Sequence, residues 1–253
     1  MTEQIRLYDD GILLNGLLDR PENGQERFPL VVFLHGVTGC MEERQNAAIC
    51  RAINRAGFGT LRLDLYGHGT SGGEFRDHTL WKWISNALTA LNYSLQLPQV
   101  TGLWLAGHSQ GGLTAMLAGQ MMRDRLSGLL LFSPAWMIPE AARRGDLLGI
   151  RFDPEHLPLD GAAGSDYPVG SNYIRVAQTI HAEEAVHGFR KPVLLLHGAA
   201  DETVPVYWSD TLSKMYEACT YVKIPDETHC YDRHLEDVTD VVELWLIGRS
   251  ARA

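Results

Sequence analysis

The sequence has few cysteines and no surplus of basic residues. Its four cysteines, Cys40, Cys50, Cys219 and Cys230, show no CxxC spacing. This argues against a zinc knuckle and a disulfide framework, and favours reduced thiols in or near the core. The 31 Asp and Glu residues outnumber the 22 Lys and Arg residues, for a formal net charge of -9. Because no excess positive charge is available to neutralise phosphates, we expect no nucleic-acid partner.

Long apolar runs are also missing. No stretch approaches the roughly 20 apolar residues that a membrane-spanning helix needs. The first residues, MTEQIRLYDDG, contain neither the basic nor the apolar region of a signal peptide. We therefore expect a soluble, cytoplasmic protein with no membrane partner. With 253 residues, 45% of them hydrophobic, the chain can bury a large core as one domain.

Short apolar segments rich in Val, Leu and Phe recur along the chain. They lie at residues 12–18, 30–36, 59–67, 102–109, 128–134, 192–198 and 220–225. Most are continuous rather than alternating, as in strands that are covered on both faces. Segments with helical periodicity lie between them, for example at 41–57, 79–97 and 113–126. This pattern predicts an α/β fold with a mostly parallel sheet, helices on both faces and a site at the carboxyl ends of the strands.

One region interrupts the alternation of strands and helices. Residues 135–191 are rich in Pro, Gly and Asp, and only 171–186 have a helical pattern. Structureless loops longer than about 12–15 residues are uncommon in compact domains and are usually functional. Phe152, Tyr167 and Tyr173 give the region apolar surface to bury, unlike a disordered linker. We predict a single domain in which this region is an inserted cap over the carboxyl edge of the sheet.

The hexapeptide GHSQGG, residues 107–112, joins a predicted strand to a predicted helix. This is the setting of a GxSxG nucleophile elbow, in which Ser109 lies in a strained turn and the small Gly107 and Gly111 relieve crowding. Its hydroxyl would lie at the helix N-terminus, where the backbone N–H of Gln110 and the helix dipole can stabilise an oxyanion. We predict that Ser109 is a nucleophile rather than an incidental serine in a glycine turn.

A serine nucleophile needs a base, and the base needs a group that orients it. In this kind of fold the order along the chain is serine, acid, histidine. Asp201 lies three residues beyond one predicted strand, and His229 follows the next predicted strand. We predict that Asp201 and His229 complete the triad, because loops at neighbouring strand ends bring such side chains within reach of each other.

Other residues remain alternatives for these roles. Glu202 and Asp226 are alternatives for the acid, and His234 is an alternative for the base. His108 is excluded as the base because the side chain of a direct neighbour in the elbow points away from Ser109.

The loop FLHGVTG, residues 33–39, is expected to supply the second oxyanion donor. We assign this donor to the backbone N–H of Val37. His35 and Gly36 are expected to shape the turn that presents it.

A metal or phosphate site is not indicated. His35, His68 and His197 lie in separate HG or GH turns without the short spacing of a zinc site. The glycines around His68 match neither GxxxxGK[ST] nor GxGxxG. We therefore predict no metal and no cofactor.

With these residues, the sequence resembles the α/β-hydrolase superfamily and, within it, the bacterial feruloyl or cinnamoyl esterases. The matching segments are VVFLHGVTG, LRLDLYGHGTSGGEF, GHSQGG, FDPEHLP, YIRVAQTI, KPVLLLHGAADETVP and DETHC. The resemblance implies an eight-stranded sheet with one antiparallel strand, and a cap after the sixth strand that forms the acyl pocket for a hydroxycinnamate. It also implies a triad of Ser109, Asp201 and His229, with oxyanion donors at Val37 and Gln110.

The resemblance also suggests residues that bind the substrate. Polar cap groups of the family bind the phenolic hydroxyl, and Tyr173 matches such a position. The segment SPAWMIPEAARRGD, residues 133–146, departs from the short polar stretch of the relatives, and Glu140 is its nearest acid. Tyr173 and Glu140 are therefore our candidate substrate contacts.

The sequence thus predicts a serine carboxylester hydrolase that acts through an acyl-enzyme on a small-molecule ester, namely a hydroxycinnamate ester. One alternative is another serine hydrolase of the same fold, such as a monoacylglycerol lipase, a thioesterase or an acylaminopeptidase. The other is a non-catalytic ligand-binding relative. A homodimer is left open.

Overall fold

An eight-stranded sheet lies at the centre of the protein. The structure, a computed structural model, describes residues 2–147, 149–158 and 168–250. The strands are β1 (Thr2–Asp9), β2 (Ile12–Asp19), β3 (Phe28–Leu34), β4 (Gly59–Leu63), β5 (Val100–His108), β6 (Gly128–Phe132), β7 (Asp146–Leu147), β8 (Ile150–Arg151), β9 (Val193–Gly198) and β10 (Cys219–Ile224). The order in the sheet is β1-β2-β4-β3-β5-β6-β9-β10, while β7 and β8 form a separate small hairpin.

In the described part of the large sheet, β2 is the strand that is antiparallel to the others. It pairs antiparallel with β1 and with β4, whereas the pairs from β4 to β10 are parallel. The predicted fold class, a mostly parallel eight-stranded α/β sheet with one antiparallel strand, is confirmed.

Helices cover both faces of the sheet. They are α1 (Arg44–Arg55), α2 (Leu80–Leu95), α3 (Gln110–Met121), α4 (Ile138–Arg144), α5 (Ser171–Gln178), α6 (Tyr207–Leu212) and α7 (Leu235–Ser250). Short 3-10 turns occur at Phe75–Asp77 and Ala182–Ala185. Side chains along β3 alternate between the two faces: Leu30, Val32 and Leu34 join the core beneath α2 and α3, and Val31 and Phe33 join the core beneath α1 and α7. Burial on both faces explains why the strand sequences are continuously apolar.

The first strand was not among the predicted ones. β1 pairs with β2 through the two-residue turn Asp10–Gly11, in which both residues have positive φ, 48° and 77°. An Asp-Gly pair between two apolar runs is the usual signal of such a hairpin. The signal was present, but the alternation in β1 is weak because this edge strand is largely exposed.

The predicted cap corresponds to the segment between β6 and β9. It contains α4, the β7–β8 hairpin, α5 and the 3-10 turn at Ala182–Ala185. Residues 148 and 159–167 of this segment, Tyr167 among them, lie outside the described residues. Tyr173 and Ile174 of α5 are buried in the same core as α2 and α3, so α5 packs onto the sheet domain. The description of the chain as one domain with a cap stays a prediction.

None of the described helices combines the length and the hydropathy of a membrane span. The longest two, α2 and α7, have 16 residues each. The four cysteines are free, with Cys50 buried and the other three partly buried.

Candidate active site

Ser109 lies in the sharp turn between β5 and α3. Its backbone has φ 55° and ψ -120°, an unfavourable conformation for a residue with a Cβ atom. The surrounding chain holds it there: the Ser109 N–H donates to the carbonyl of Phe132 at 2.9 Å, and the Ser109 carbonyl accepts from the N–H of Ala135 at 2.9 Å. The strain is therefore maintained by β6 and the residues that follow it.

The glycines of the elbow are required by close backbone approach. A Cβ atom on Gly107 would lie 2.1 Å from the carbonyl oxygen of Gly111, and one on Gly111 would lie 2.3 Å from the carbonyl oxygen of His35. Both clashes would be with backbone carbonyl oxygens, which cannot shift without distorting the main chain. The two glycines thus allow β5, α3 and the loop after β3 to meet around Ser109.

His229 joins the serine to a carboxylate. Its Nε2 lies 2.9 Å from Ser109 Oγ, and its Nδ1 lies 2.7 Å from Asp201 Oδ2. Because a carboxylate only accepts, Nδ1 carries the proton, and in the neutral ring Nε2 is free to accept the Ser109 hydroxyl proton. The structure therefore brings together the three side chains that the sequence predicted as nucleophile, base and acid, in the arrangement of a serine–histidine–acid triad.

Four polar groups lie within 3.0 Å of the Asp201 carboxylate oxygens. Oδ1 accepts hydrogen bonds from the N–H groups of Thr203 at 2.9 Å and Val204 at 2.7 Å, while Oδ2 accepts from His229 and lies 3.0 Å from Nε2 of His197. Burial by itself would raise the pKa of the Asp201 carboxyl, but the hydrogen bonds from His197 and His229 outweigh it and hold that pKa below its usual range. Asp201 is consequently a carboxylate at neutral pH.

Two further side chains hold the loop that carries His229. The carboxylate of Glu227 has no exposed surface and accepts from the N–H groups of Thr228 at 2.6 Å, Arg233 at 3.1 Å and His234 at 2.5 Å. Nε2 of His108 donates to the carbonyl of His229 at 2.9 Å. Neither role was predicted, because each depends on burial and on loop closure that spacing along the chain does not reveal.

The alternative acids and bases are placed elsewhere. Glu202 and Asp226 are exposed, and within the described chain neither carboxylate hydrogen-bonds to His229. His234 precedes α7, and its backbone N–H is bound by Glu227.

The predicted oxyanion loop lies against the nucleophile. A Cβ atom on Gly36 would lie 3.2 Å from Cβ of Ser109, so this loop approaches the elbow at the residue before Val37. Gln110 is the first residue of α3, and its N–H is one of the orphan donors of a helix N-terminus. Among the residues described, neither the Val37 nor the Gln110 backbone N–H donates to another protein group. The assignment of these two N–H groups as oxyanion donors stays a prediction.

His35 shapes the oxyanion loop, as expected from the sequence. Its Nδ1 donates to the carbonyl of Gly36 at 2.7 Å, and its Nε2 accepts the N–H of Leu65 at 3.0 Å. Burial lowers the pKa of His35 to about 4, with a contribution from His68, so the ring is neutral at neutral pH. A neutral ring is what this pair of one donated and one accepted hydrogen bond requires.

The two candidate substrate contacts differ in their surroundings. Tyr173 is 2% exposed, and its hydroxyl donates to Oε1 of Gln110 at 2.8 Å. It therefore touches the residue that follows the nucleophile. Glu140 forms an ion pair with Arg144 on the same helix, and within the described residues it makes no hydrogen bond to the triad or to Tyr173.

No group of three or more His, Cys, Asp or Glu side chains in the described ranges could hold a metal ion. The rings of His35, His68 and His78 lie near one another and near Trp83. The distances between ring centroids are 5.1 to 5.3 Å, as in aromatic packing. The absence of a cofactor requirement stays a prediction.

Comparisons with known proteins place this geometry in context. A family model described as "Serine aminopeptidase, S33" (Hydrolase_4) matches residues 25–152, which include the elbow but end before Asp201 and His229. Among curated proteins, the mitochondrial palmitoyl-protein thioesterase ABHD10 of Homo sapiens is 25% identical over 193 residues, or 72% of this chain. The match spans 60% of the length of that thioesterase, and the same holds for its Pongo abelii counterpart.

Two solved structures of Est1E from Butyrivibrio proteoclasticus are much more similar. One, with ferulic acid bound, is 48% identical with a TM-score of 0.95, and the match covers 98% of this chain and 99% of Est1E. The other is 46% identical with a TM-score of 0.91 and the same coverage. These matches include the cap segment as well as the loops that carry Ser109, Asp201 and His229.

Proposed function

The chain belongs to the serine hydrolases of the α/β-hydrolase fold, and on that premise we propose that it hydrolyses carboxylic esters through an acyl-enzyme on Ser109. The observation that carries this proposal is the hydrogen-bonded series from Ser109 Oγ through His229 to Asp201, at 2.9 and 2.7 Å. Two further observations support it: Gln110 begins the helix after the serine, and the loop that carries Val37 approaches Ser109 at Gly36.

The acylation step follows from this geometry. Ser109 Oγ attacks the ester carbonyl carbon while Nε2 of His229 takes the hydroxyl proton. The carbonyl oxygen becomes an oxyanion and accepts hydrogen bonds from Val37 and Gln110. The bond to the alcohol oxygen then breaks, His229 returns its proton to the departing alcohol, and the acyl group remains on Ser109.

Water completes the cycle. It loses a proton to His229 as it attacks the acyl carbon, and the second oxyanion uses the same two N–H groups. When this intermediate collapses, the acid is released and Ser109 regains its proton from His229. Asp201 remains ionised throughout and stabilises the imidazolium form of His229.

For the substrate, we propose a hydroxycinnamate ester. The support is the 48% identity, over nearly the whole of both chains, to a protein that was crystallised with ferulic acid. Tyr173 and Glu140 stay proposals as contacts of the acyl group. Tyr173 is the better supported, because it touches Gln110 beside the nucleophile, whereas Glu140 already has Arg144 as a partner.

A substrate panel tests the proposal. Initial rates with methyl ferulate, methyl cinnamate, a monoacylglycerol and a palmitoyl thioester are compared, with Ser109→Ala as the matched control. We expect the highest kcat/KM for methyl ferulate and no turnover above background for the variant.

Two results would favour the alternatives. A preference for the palmitoyl thioester would favour a thioesterase, the activity named for the relatives at 25% identity. Failure of a fluorophosphonate probe to label Ser109 would favour a ligand-binding protein without catalysis.

A further inference from the structure

His197 lies directly behind the carboxylate of Asp201 and has no part in the mechanism above. It lies on β9, and its side chain is fully buried. Its Nε2 is 3.0 Å from Asp201 Oδ2 and 2.9 Å from the carbonyl oxygen of Val204. Its Nδ1 is 2.6 Å from Oγ of Ser209 on α6. Ser209, His197, Asp201 and His229 thus form one continuous series of polar contacts of 2.6 to 3.0 Å.

The surroundings of His197 determine which of its nitrogens donates. Both neighbours of Nε2, a carboxylate and a carbonyl oxygen, only accept, so Nε2 carries a proton. If the ring is neutral, the Ser209 hydroxyl donates to Nδ1, and if the ring is charged, Nδ1–H donates to Ser209. In both states the Nε2–H of His197 faces two acceptors, the carbonyl oxygen of Val204 at 2.9 Å and Oδ2 of Asp201 at 3.0 Å.

We propose that His197 is a positioning residue for the hydrolytic reaction: its Nε2–H holds Oδ2 of Asp201 where that oxygen meets Nδ1–H of His229, and Ser209 orients the His197 ring. The inference rests on the proposed function, because it assigns a role within the same triad. It concerns Oδ2 alone, since Oδ1 is held separately by the backbone N–H groups of Thr203 and Val204.

Two consequences follow from sharing Oδ2 between two imidazoles. Without the His197 donor, the carboxylate can rotate away from the direction that orients His229, which lowers kcat. The negative charge on Oδ2 then also faces His229 alone, which stabilises the imidazolium and moves the acid limb of the pH profile to higher pH. A side chain that only fills space would not move this limb.

Other titratable groups of the described residues also face the Asp201–His229 pair. They include Glu43 at the start of α1, His108 on β5, and Cys230 and Tyr231 after His229. Burial lowers the pKa of His108 to about 3 and raises the pKa of Cys230 and of Tyr231, so these three keep one protonation state in the acid limb. Burial also raises the pKa of Glu43, but Glu43 is unchanged in every variant compared.

The test uses three substitutions of one residue. In His197→Gln the amide nitrogen can reach the position of Nε2, in His197→Asn it lies nearer that of Nδ1, and His197→Leu has no donor. We expect the Asn and Leu variants to lose about 10- to 100-fold in kcat on p-nitrophenyl butyrate, with KM nearly unchanged. We expect the midpoint of their acid limb to move to higher pH by about one unit or less. We expect His197→Gln to keep most of the wild-type kcat and most of the wild-type acid limb.

Rates of fluorophosphonate labelling are measured in parallel, because labelling needs an activated Ser109 but no particular ester. A wild-type protein that is labelled but cleaves no ester would overturn the proposed function, and the order of labelling rates would still decide the role of His197. The inference is overturned if all three variants match the wild type, or if Gln is no better than Leu and the acid limb stays in place.

Ser209→Ala provides a milder test in case substitutions of the buried His197 do not fold. We expect a fall in kcat of about 2- to 10-fold with a smaller rise of the acid limb, because the His197 ring is then oriented less firmly. Ser213→Ala is the matched control: Ser213 directly follows α6, its hydroxyl donates to the carbonyl of Asp210, and the substitution should leave both unchanged. Wild-type kcat and pH profile in Ser209→Ala would overturn the inference.

Discussion

The proposed active site has two walls that are built in different ways. The sheet wall consists of the loops that carry Ser109, Asp201 and His229, and the cap wall consists of α4 and α5, which carry Glu140 and Tyr173. In the sheet wall the reactive side chains are bonded to one another, and Asp201 is held further by the N–H groups of Thr203 and Val204 and by the nearby His197. In the cap wall, the hydrogen bond from Tyr173 to Gln110 joins α5 to the elbow.

We infer from this contrast that the two walls have different roles, the sheet wall in catalysis and the cap wall in substrate selection. Groups that take part in bond making need positions that are fixed to within fractions of an ångström, and the strand ends of a sheet provide them. Groups that select the acyl chain can be exchanged without disturbing those positions unless they are bonded to the elbow, as Tyr173 is. We therefore expect substitutions in the sheet wall to act mainly on kcat and substitutions in the cap wall to act on substrate preference, except at Tyr173.

Removing the nucleophile has the largest expected effect. Ser109→Ala should lower kcat on p-nitrophenyl butyrate by about 10⁶-fold, as for other serine hydrolases with this triad. Its melting temperature should not fall, because alanine retains the Cβ atom and the backbone bonds of Ser109 to Phe132 and Ala135 remain. Near-normal hydrolysis by the variant would rule out Ser109 as the nucleophile.

Removing the charge of the orienting acid comes next. Asp201→Asn should lower kcat by about 10⁴-fold, since an amide can stabilise the wrong tautomer of His229 and cannot stabilise its imidazolium form. Glu202→Asn, which alters an exposed neighbouring acid, is the matched control and should keep wild-type kcat. A larger loss in the control than in Asp201→Asn would reassign the acid.

The same substitution has a predicted effect on stability that depends on pH. The folded-state pKa of Asp201 is lowered, so the carboxylate stabilises the native state fully above the unfolded value of about 3.9. That contribution is lost as the pH falls through the lowered folded-state pKa. The difference in unfolding free energy between wild type and Asp201→Asn, from urea titrations, should shrink as the pH falls below about 4. A difference that grows as the pH falls below about 4 would contradict this sign.

The sheet wall was predictable because its signals are local. The glycines around Ser109 and the strand ends before Asp201 and His229 can be recognised in a single sequence, and the order serine, acid, histidine then follows from the fold. The residues that support the triad were not predictable in this way. His108, His197 and Glu227 act through burial and hydrogen bonds, and no spacing distinguishes them from other polar residues in the same loops.

The cap was harder to predict for a different reason. The helix predicted over 171–186 ends at Gln178, and a 3-10 turn follows at Ala182–Ala185. The seven-residue helix α4 was missed, although Pro139 near its start and the left-handed Gly145 after its end are typical helix boundaries. In short elements such as these, packing against the sheet outweighs the pattern of the sequence itself.

Loss of the Tyr173 hydroxyl should have an intermediate effect. Tyr173→Phe leaves the buried Oε1 of Gln110 without its donor, which should cost about 1–3 kcal/mol of stability. We expect kcat/KM for methyl ferulate to fall by about 10-fold through the displaced Gln110, next to the oxyanion position. Tyr221→Phe, which removes a hydroxyl bonded to Asp210 on the outer strand β10, is the control and should not affect catalysis. Equal rates for both variants and the wild type would show that the cap contact does not influence the elbow.

The smallest effect is expected at Glu140, whose carboxylate is partly exposed and already paired with Arg144. Exposed ion pairs contribute about 0–1 kcal/mol, so Glu140→Gln should leave stability nearly unchanged. If Glu140 accepts the phenolic hydroxyl of the substrate, the variant should raise KM for methyl ferulate by about fivefold or less and leave KM for methyl cinnamate unchanged. Cinnamate lacks the hydroxyl and thus serves as the internal control. Equal KM changes for the two esters would remove Glu140 from the substrate contacts and leave recognition of the hydroxyl to other groups of the cap.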